Sequence, residues 1–323
     1  LKINSIINIK MSVDITTQIA GMELSNCLYN ASGVNCITKE ELVTLATSKT
    51  GAIQSKSCTL KYRDGNPLPR YYENDMCTIN SSGLPNMGYD FYYNIADELQ
   101  TYKPYIVSVS GLNHRNNINI IEILSFTNAI SAIELNLSCP NIVGKPQTGY
   151  DFEGMNELLR KLFENIDYHP LKNKLGLKLP PYFDISHFNK AAEIINSYKI
   201  DYLTCINSIG NGLVINPDTD SVSIKPKYGF GGIGGQCIKP TALANVRKFY
   251  ELTKCDIVGC GGVVNGRDVY EHILCGARAV QVGSQFKREG IDVFDRLSKE
   301  LMEIMGNKGY SCIEDFRGKL NYL

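Results

Sequence analysis

The chain shows no excess of either charge, with 33 Lys plus Arg against 33 Asp plus Glu in 323 residues. Nothing in that balance invites a polyanion such as nucleic acid or an anionic membrane surface, so small molecules are the expected ligands. Apolar runs of the eighteen or more residues that span a bilayer are missing, and Leu1 to Asp14 lack the apolar core of a secretory signal. Arginine is absent before Arg63, which argues against an Arg-rich mitochondrial presequence. Met11-Ser12 looks like a natural start, so residues 1–10 are expected to be a leader or remnant, with 1–12 outside the fold. The eleven cysteines are an odd count with no Cys-x-x-Cys pair, so neither a disulfide framework, a zinc ribbon nor an iron–sulfur cluster is implied. His114, His169, His187 and His272 never fall at the three- or four-residue spacing that puts two ligands on one helical face. The expectation is a cytoplasmic protein in a reducing compartment, with no bound metal and no membrane contact.

What the sequence has is a rhythm. Short apolar runs alternate with longer helical patterns, the signature of a parallel sheet with crossover helices. Eight strands are expected at Leu28–Ala31, Ala52–Ser55, Ile106–Val109, Ala132–Leu135, Leu175–Leu179, Tyr202–Ile206, Asp256–Gly259 and Ala279–Val282. Thr38 with Glu41 forms a capping-box signal for the first helix. Further helices are expected near Tyr89–Thr101, Asn116–Ala129, Phe152–Asn165, Ile185–Ser197, Thr241–Leu252, Arg267–Cys275 and Val293–Met305, and Ser311 with Glu314 suggests a terminal one. Eight such units predict an α/β protein, a single (β/α)8 TIM barrel over 1–323, with a doubly wound open sheet as the alternative. Residues 58–88 and 207–239 are too long for plain turns and are expected to be lids, small accessory strands or binding elements.

The polar residues following the strands should meet at one barrel mouth, where catalytic groups of such folds gather. They are Ser32-Gly33, Lys56, Ser110-Gly111, Asn136 with Cys139, Lys178, Asn207-Ser208, Gly261-Gly262 and Gly283-Ser284. Glycine pairs after the seventh and eighth strands suit a phosphate held by bare backbone amides, and Phe230-Gly231-Gly232-Ile233-Gly234-Gly235 adds a third cluster; single pairs also make ordinary turns. Lys56 and Lys178 follow apolar residues and can fix an anion, form a Schiff base or make a structural ion pair. Asn80, Asn136, Asn141 and Asn207 suit a ligand with alternating N–H and C=O edges, such as an amide or pyrimidine, or simply cap turns. Cys139 precedes a proline, which places it past the fourth strand on a loop, whereas Cys58, Cys205 and Cys260 read as packing residues.

These residues resemble the dihydroorotate dehydrogenases, specifically the soluble, fumarate-linked class 1A enzymes. The likeness runs from about Asn30 to Leu320. It includes Asn30-Ala31-Ser32-Gly33, Ser55-Lys56-Ser57, Asn80-Ser81-Ser82-Gly83-Leu84-Pro85-Asn86, Leu135-Asn136-Leu137-Ser138-Cys139-Pro140-Asn141, Lys178-Leu179-Pro180-Pro181 and Asn207-Ser208-Ile209-Gly210-Asn211-Gly212. The resemblance implies oxidation of (S)-dihydroorotate to orotate in pyrimidine biosynthesis, with flavin mononucleotide (FMN) as cofactor, fumarate as acceptor and a homodimeric assembly. It implies a phosphate site at Gly235, Gly261, Gly262, Gly283 and Ser284, and flavin contacts from Ala31, Ser32, Gly33, Lys56, Asn136 and Lys178. Orotate is expected at Lys56, Asn80, Gly83, Leu84, Asn136, Asn141, Asn207 and Ser208, with Cys139 as the base on a lid from Ser138 to Gln147. Ser82 stands where methionine is common, Ile142-Val143 lacks a usual proline, and Asn113-His114-Arg115 replaces an acidic stretch. The alternatives are an NAD-linked class 1B subunit that needs an iron–sulfur partner, a flavin barrel acting on RNA uridine, and a Schiff-base aldolase.

Overall fold

The computed structural model describes residues 13–138, 147–168, 171 and 173–323. The leader expected at 1–12, Cys139, Asn141, Ile142-Val143 and most of the expected lid lie outside the described residues.

Eight parallel strands form the centre: β1 (Leu28–Asn30), β2 (Ile53–Gln54), β3 (Tyr105–Val109), β4 (Ala132–Asn136), β5 (Lys174–Leu179), β6 (Tyr202–Cys205), β7 (Asp256–Cys260) and β8 (Ala279–Val282). From β2 to β8 each strand pairs with the next in sequence, and β8 pairs with β1. The remaining seam, between β1 and β2, is closed without a ladder. Gly51 N donates to Leu28 O at 2.8 Å, and the Asn30 carboxamide takes the Gln54 N–H at 2.9 Å while donating to Gln54 O at 2.7 Å. Closure establishes the (β/α)8 barrel and sets aside the open sheet.

The strands alternate as the two-residue period requires. On β4, Ile133 and Leu135 join the core shared with the helices, whereas Ala132 faces the barrel interior. The lower interior is apolar: Tyr29, Ala52, Ile106, Ala132, Tyr202, Val258 and Ala279 pack on Ile19, Met22 and Leu24 from the hairpin Thr17–Ile19/Met22–Leu24. The small side chains of Ala52, Ala132 and Ala279 leave room for that plug. One step up the same faces the interior turns polar, with Gln54, Glu134, Thr204 and Gln281 all fully buried.

The outer helices differ from expectation mainly at their ends. Thr38 and Glu41 make the predicted capping box on Lys39–Ala46. The stretch expected at Tyr89–Thr101 splits into Tyr89–Asn94 and Ala96–Leu99. The helix expected at Asn116–Ala129 runs His114–Leu124, because Asn113 accepts from Asn116 N and so caps it earlier. The terminal helix is only the turn Ile313–Asp315, where Asp315 accepts from Ser311 and Cys312 N–H groups. A short helix, Ser284–Glu289, also intervenes between β8 and Val293–Lys308.

Both long connections contribute to one antiparallel sheet over the barrel mouth, in the order Ile209–Leu213, Phe230–Gly234, Thr78–Asn80, Tyr71–Glu73. Accessory strands were among the expected outcomes. The glycine run 230–234 is therefore largely strand, and of the cluster only Gly235 adopts positive φ, at 87°.

Candidate active site at the carboxyl ends of the strands

A cavity of about 860 Å³ opens at the carboxyl ends of the strands, beneath the accessory sheet. It is lined by every described residue that the sequence assigns to the site: Ala31, Ser32, Gly33, Lys56, Asn80, Gly83, Leu84, Asn136, Lys178, Asn207, Ser208, Gly235, Gly261, Gly262, Gly283 and Ser284. Ser110 and Gly111, which also follow a strand, are not among the lining residues. Gly111 N is taken instead by Asn117 Oδ1 at 2.5 Å.

Strand register sets the centre of the site. Asn136 on β4 lies directly beside Lys178 on β5. Asn136 Oδ1 accepts from Asn207 Nδ2 at 3.2 Å and from Ser138 N at 3.1 Å, and its Nδ2 donates to Ser57 Oγ at 3.2 Å. Asn207 Oδ1 in turn accepts from Ser208 N at 2.8 Å. These bonds fix which edge of each carboxamide is presented. Asn80 reaches the site from the accessory sheet, its Nδ2 donating to Gly232 O at 3.3 Å. Gly83 and Leu84 both have positive φ, 71° and 58°, which turns their backbone sharply at the cavity wall.

Two ammonium groups are buried here. Lys56 is 7 % exposed, with Nζ 3.4 Å from Gly33 O, and Lys178 is 3 % exposed. Lys178 Nζ donates to Gln281 Oε1 at 2.5 Å and to Cys260 Sγ at 3.3 Å. Cys260 thus lines the cavity in contact with a site lysine. Burial pushes the thiols of Cys58 and Cys205 well above their ordinary range, which leaves those two as inert packing groups.

The glycines do not all have one cause. A Cβ on Gly262 would sit 2.4 Å from Lys239 Cβ, so packing on the helix Lys239–Leu252 requires that residue to be bare, whereas Gly261, whose Cβ would come 3.0 Å from Ala242 Cβ, has a φ of 126° that side chains rarely adopt. Gly33 and Gly283 differ. A Cβ on Gly33 meets nothing within 4 Å, and one on Gly283 comes no nearer than 3.7 Å to Ala31, so there the missing side chain leaves room in the cavity itself. Such space, with buried cations and oriented carboxamides, fits an anionic ligand whose rings carry amide-like edges.

Gln281, Glu134, Thr78 and Ser57 escaped the sequence reading. Gln281 and Thr78 line the cavity, and Thr78 Oγ1 lies 3.1 Å from Ser284 Oγ. A glutamine in Ala279-Val280-Gln281-Val282, on the inward side of a strand, was the available signal. Among the described residues no group of three or more His, Cys, Asp or Glu could hold a metal, and no helix is long and apolar enough to cross a membrane.

Comparison with known proteins gives this geometry its family. The model of the dihydroorotate dehydrogenase family matches residues 14–305. A dihydroorotate dehydrogenase (fumarate) of Lachancea kluyveri is 48% identical over 97% of this chain and 100% of its own. A Streptococcus agalactiae protein, provisionally named dihydroorotate dehydrogenase A (fumarate), is 51% identical over 96% of this chain and 100% of its own. Among solved structures, the enzyme of Eimeria tenella in complex with ferulenol superposes with a TM-score of 0.78 at 19% identity, covering 94% of this chain and 88% of that one. With a family match over most of its length and relatives near half identity, the chain belongs to the dihydroorotate dehydrogenases, an oxidoreductase family whose chemistry calls for a flavin.

Proposed function

We propose that the cavity binds FMN together with (S)-dihydroorotate and oxidises the latter to orotate, with fumarate as the final acceptor. The observation that carries this reading is that Lys56, Lys178, Asn80, Asn136 and Asn207, drawn from distant parts of the chain, line one cavity of about 860 Å³. When bound, FMN would supply the acceptor for the hydride leaving carbon 6 and would pass the electron pair on to fumarate.

The chain's own residues do the rest. Lys56 and the amides at Gly83 and Leu84 hold the substrate carboxylate, each charge-assisted bond contributing about 1.5–3 kcal/mol. Asn80, Asn136, Asn207, Ser208 and Asn141 read the ring's N–H and C=O edges. Lys178 supplies fixed positive charge where negative charge develops, a form of electrostatic catalysis. Gly235, Gly261, Gly262, Gly283 and Ser284 take the phosphate, and Ala31, Ser32 and Gly33 flank the ring system. Cys139 takes the proton from carbon 5. A cysteine of ordinary pKa, about 8.5, is only a few per cent thiolate at neutrality, so turnover should rise with pH above 7.

A single domain working as a cytoplasmic homodimer completes the reading. It is supported by the free state of all ten described cysteines and by the apolar side chains exposed on the accessory segment, among them Ile215 and Tyr228. A Schiff-base aldolase acting through Lys178 is disfavoured because that ammonium is already held by Gln281 and Cys260.

Anaerobic addition of dihydroorotate to the yellow holoprotein should bleach the flavin, and fumarate should restore it with no added partner subunit. Cys139→Ala should keep its flavin but reduce it at least about a hundredfold more slowly, the scale of a lost general base. Bleaching of that variant at the parental rate would remove Cys139 from the mechanism. A requirement for an iron–sulfur partner would move the chain to the NAD-linked class.

A further inference from the structure

Directly under the site lies a closed set of polar groups that the proposed reaction does not use. Glu134 is fully buried in the barrel. Its Oε1 accepts from Gln54 Nε2 at 2.5 Å, and its Oε2 accepts from Thr204 Oγ1 at 2.6 Å and from Gln281 Nε2 at 3.1 Å. Gln281 Nε2 also donates to Gln54 Oε1 at 2.8 Å, and Gln281 Oε1 faces Lys178 Nζ at 2.5 Å.

This pattern leaves one orientation for the Gln281 amide. An ionised carboxylate only accepts hydrogen bonds, and an ammonium only donates them. The Gln281 NH2 group must therefore face Glu134, and its carbonyl must face Lys178. The opposite orientation would set a carbonyl against the carboxylate and an NH2 group against the ammonium, both repulsive in a medium of low dielectric. Glu134, one of the buried charged side chains among the described residues, is joined to Lys178 by hydrogen bonds through Gln281.

We propose that Glu134 is a positioning residue for the reaction: acting through Gln281, it locks the Lys178 ammonium in the place and orientation from which it faces the flavin. The inference rests on the reading that Lys178 lies against that ring. It assigns to a carboxylate below the site the task of holding a cation within it. Gln54 and Thr204 also donate to Glu134, so the carboxylate is held by buried protein groups and the lock does not depend on substrate.

Glu134→Gln tests this with signs that separate the explanations. Simple loss of a negative charge beneath the flavin would raise its midpoint potential and tighten its binding of sulfite, which leaves negative charge on the ring. Loss of the lock does the reverse: once Glu134 can donate as well as accept, Gln281 can turn and Lys178 loses its fixed partner. We expect sulfite affinity to fall about tenfold, the equivalent of one charge-assisted hydrogen bond, with a lower midpoint potential. Glu134→Asp should recover part of the loss, and the effect of Glu134→Gln should vanish in a Lys178→Ala background. If Glu134→Gln does not fold, Gln281→Met, which keeps the carboxylate but cuts the link, should give the same loss. Sulfite affinity and potential equal to or above the parent's in a folded variant would overturn the proposal. A parent protein that takes up no flavin would instead overturn the proposed function, so the two failures are distinguishable.

Discussion

His272 is fully buried on the helix Gly266–Leu274, and burial lowers its imidazole from 6.5 to about 4. Its Nε2 lies 3.0 Å from Gly261 O, an acceptor, so Nε2 carries the proton; Nδ1 is buried without a partner. The ring therefore holds the carbonyl of a glycine at the cavity while offering no place for a second proton. Since the folded-state pKa is depressed, the unfolded chain binds more protons below 6.5, and stability falls as pH drops from about 6.5 toward 4. The expected loss from this residue alone is about 2 kcal/mol at pH 5. Urea unfolding at pH 7 and pH 5 should show it, and His272→Asn should flatten that difference; a variant with the parent's pH dependence would place the effect elsewhere. Legibility at this scale followed position along a strand. Lys56, Asn136 and Lys178 stand where strands end, so their chemistry could be read directly. Glu134 and Gln281 stand inside apolar strands, where alternation assigns a face but not what that face meets across a barrel.

Each of the eight strands fell within two residues of its expected bounds because a strand buried on both faces reads as a short apolar run. Helix ends were less legible, since they depend on caps such as Asn113 that compete with neighbouring polar residues. The expected strand Ala52–Ser55 shrinks to Ile53–Gln54 at the seam. There the Asn30 carboxamide replaces ladder bonds, being itself fully buried and bonded to both Gln54 backbone groups. Nothing in Leu28-Tyr29-Asn30 announces that role, because its partner lies 24 positions away. Removing the side chain leaves a buried N–H and a buried C=O unsatisfied, at about 1–3 kcal/mol each. Asn30→Ala should therefore lower stability by about 2–4 kcal/mol in equilibrium unfolding, beyond what an exposed asparagine loses. Asn30→Asp should be no rescue, since it can accept from Gln54 N but cannot donate to Gln54 O. A fall below about 0.5 kcal/mol would mean that the seam relaxes around the gap.

At the scale of the whole molecule, the barrel was legible from its repeated units and accessory strands were expected in the two long loops, whereas the pairing of those strands into one sheet across the mouth was not legible. Asn80 and Gly232 meet there although 152 positions separate them, and neither segment carries a pattern that names the other as partner. The same insertion turns an apolar surface outward. Leu213 pairs with Phe230 and Ile215 with Val222 across neighbouring hairpins, and Tyr228 is 92 % exposed beside them. Single exposed apolar residues are ordinary on a protein surface, but a contiguous set on paired strands marks an interface. The proposed homodimer gives it an occupant, since a self-complementary face closes by two-fold symmetry without leaving edges open. An aspartate there must be desolvated twice, once in each copy. Ile215→Asp and Tyr228→Asp should each weaken dimerisation by at least about 2 kcal/mol, roughly thirtyfold, as expected for a central interface residue. Sedimentation over a micromolar concentration series would show the shift toward monomer. The barrel and its cavity should survive, because neither side chain reaches the core. A parent chain that sediments as a monomer across the series would leave this surface without the partner assigned to it.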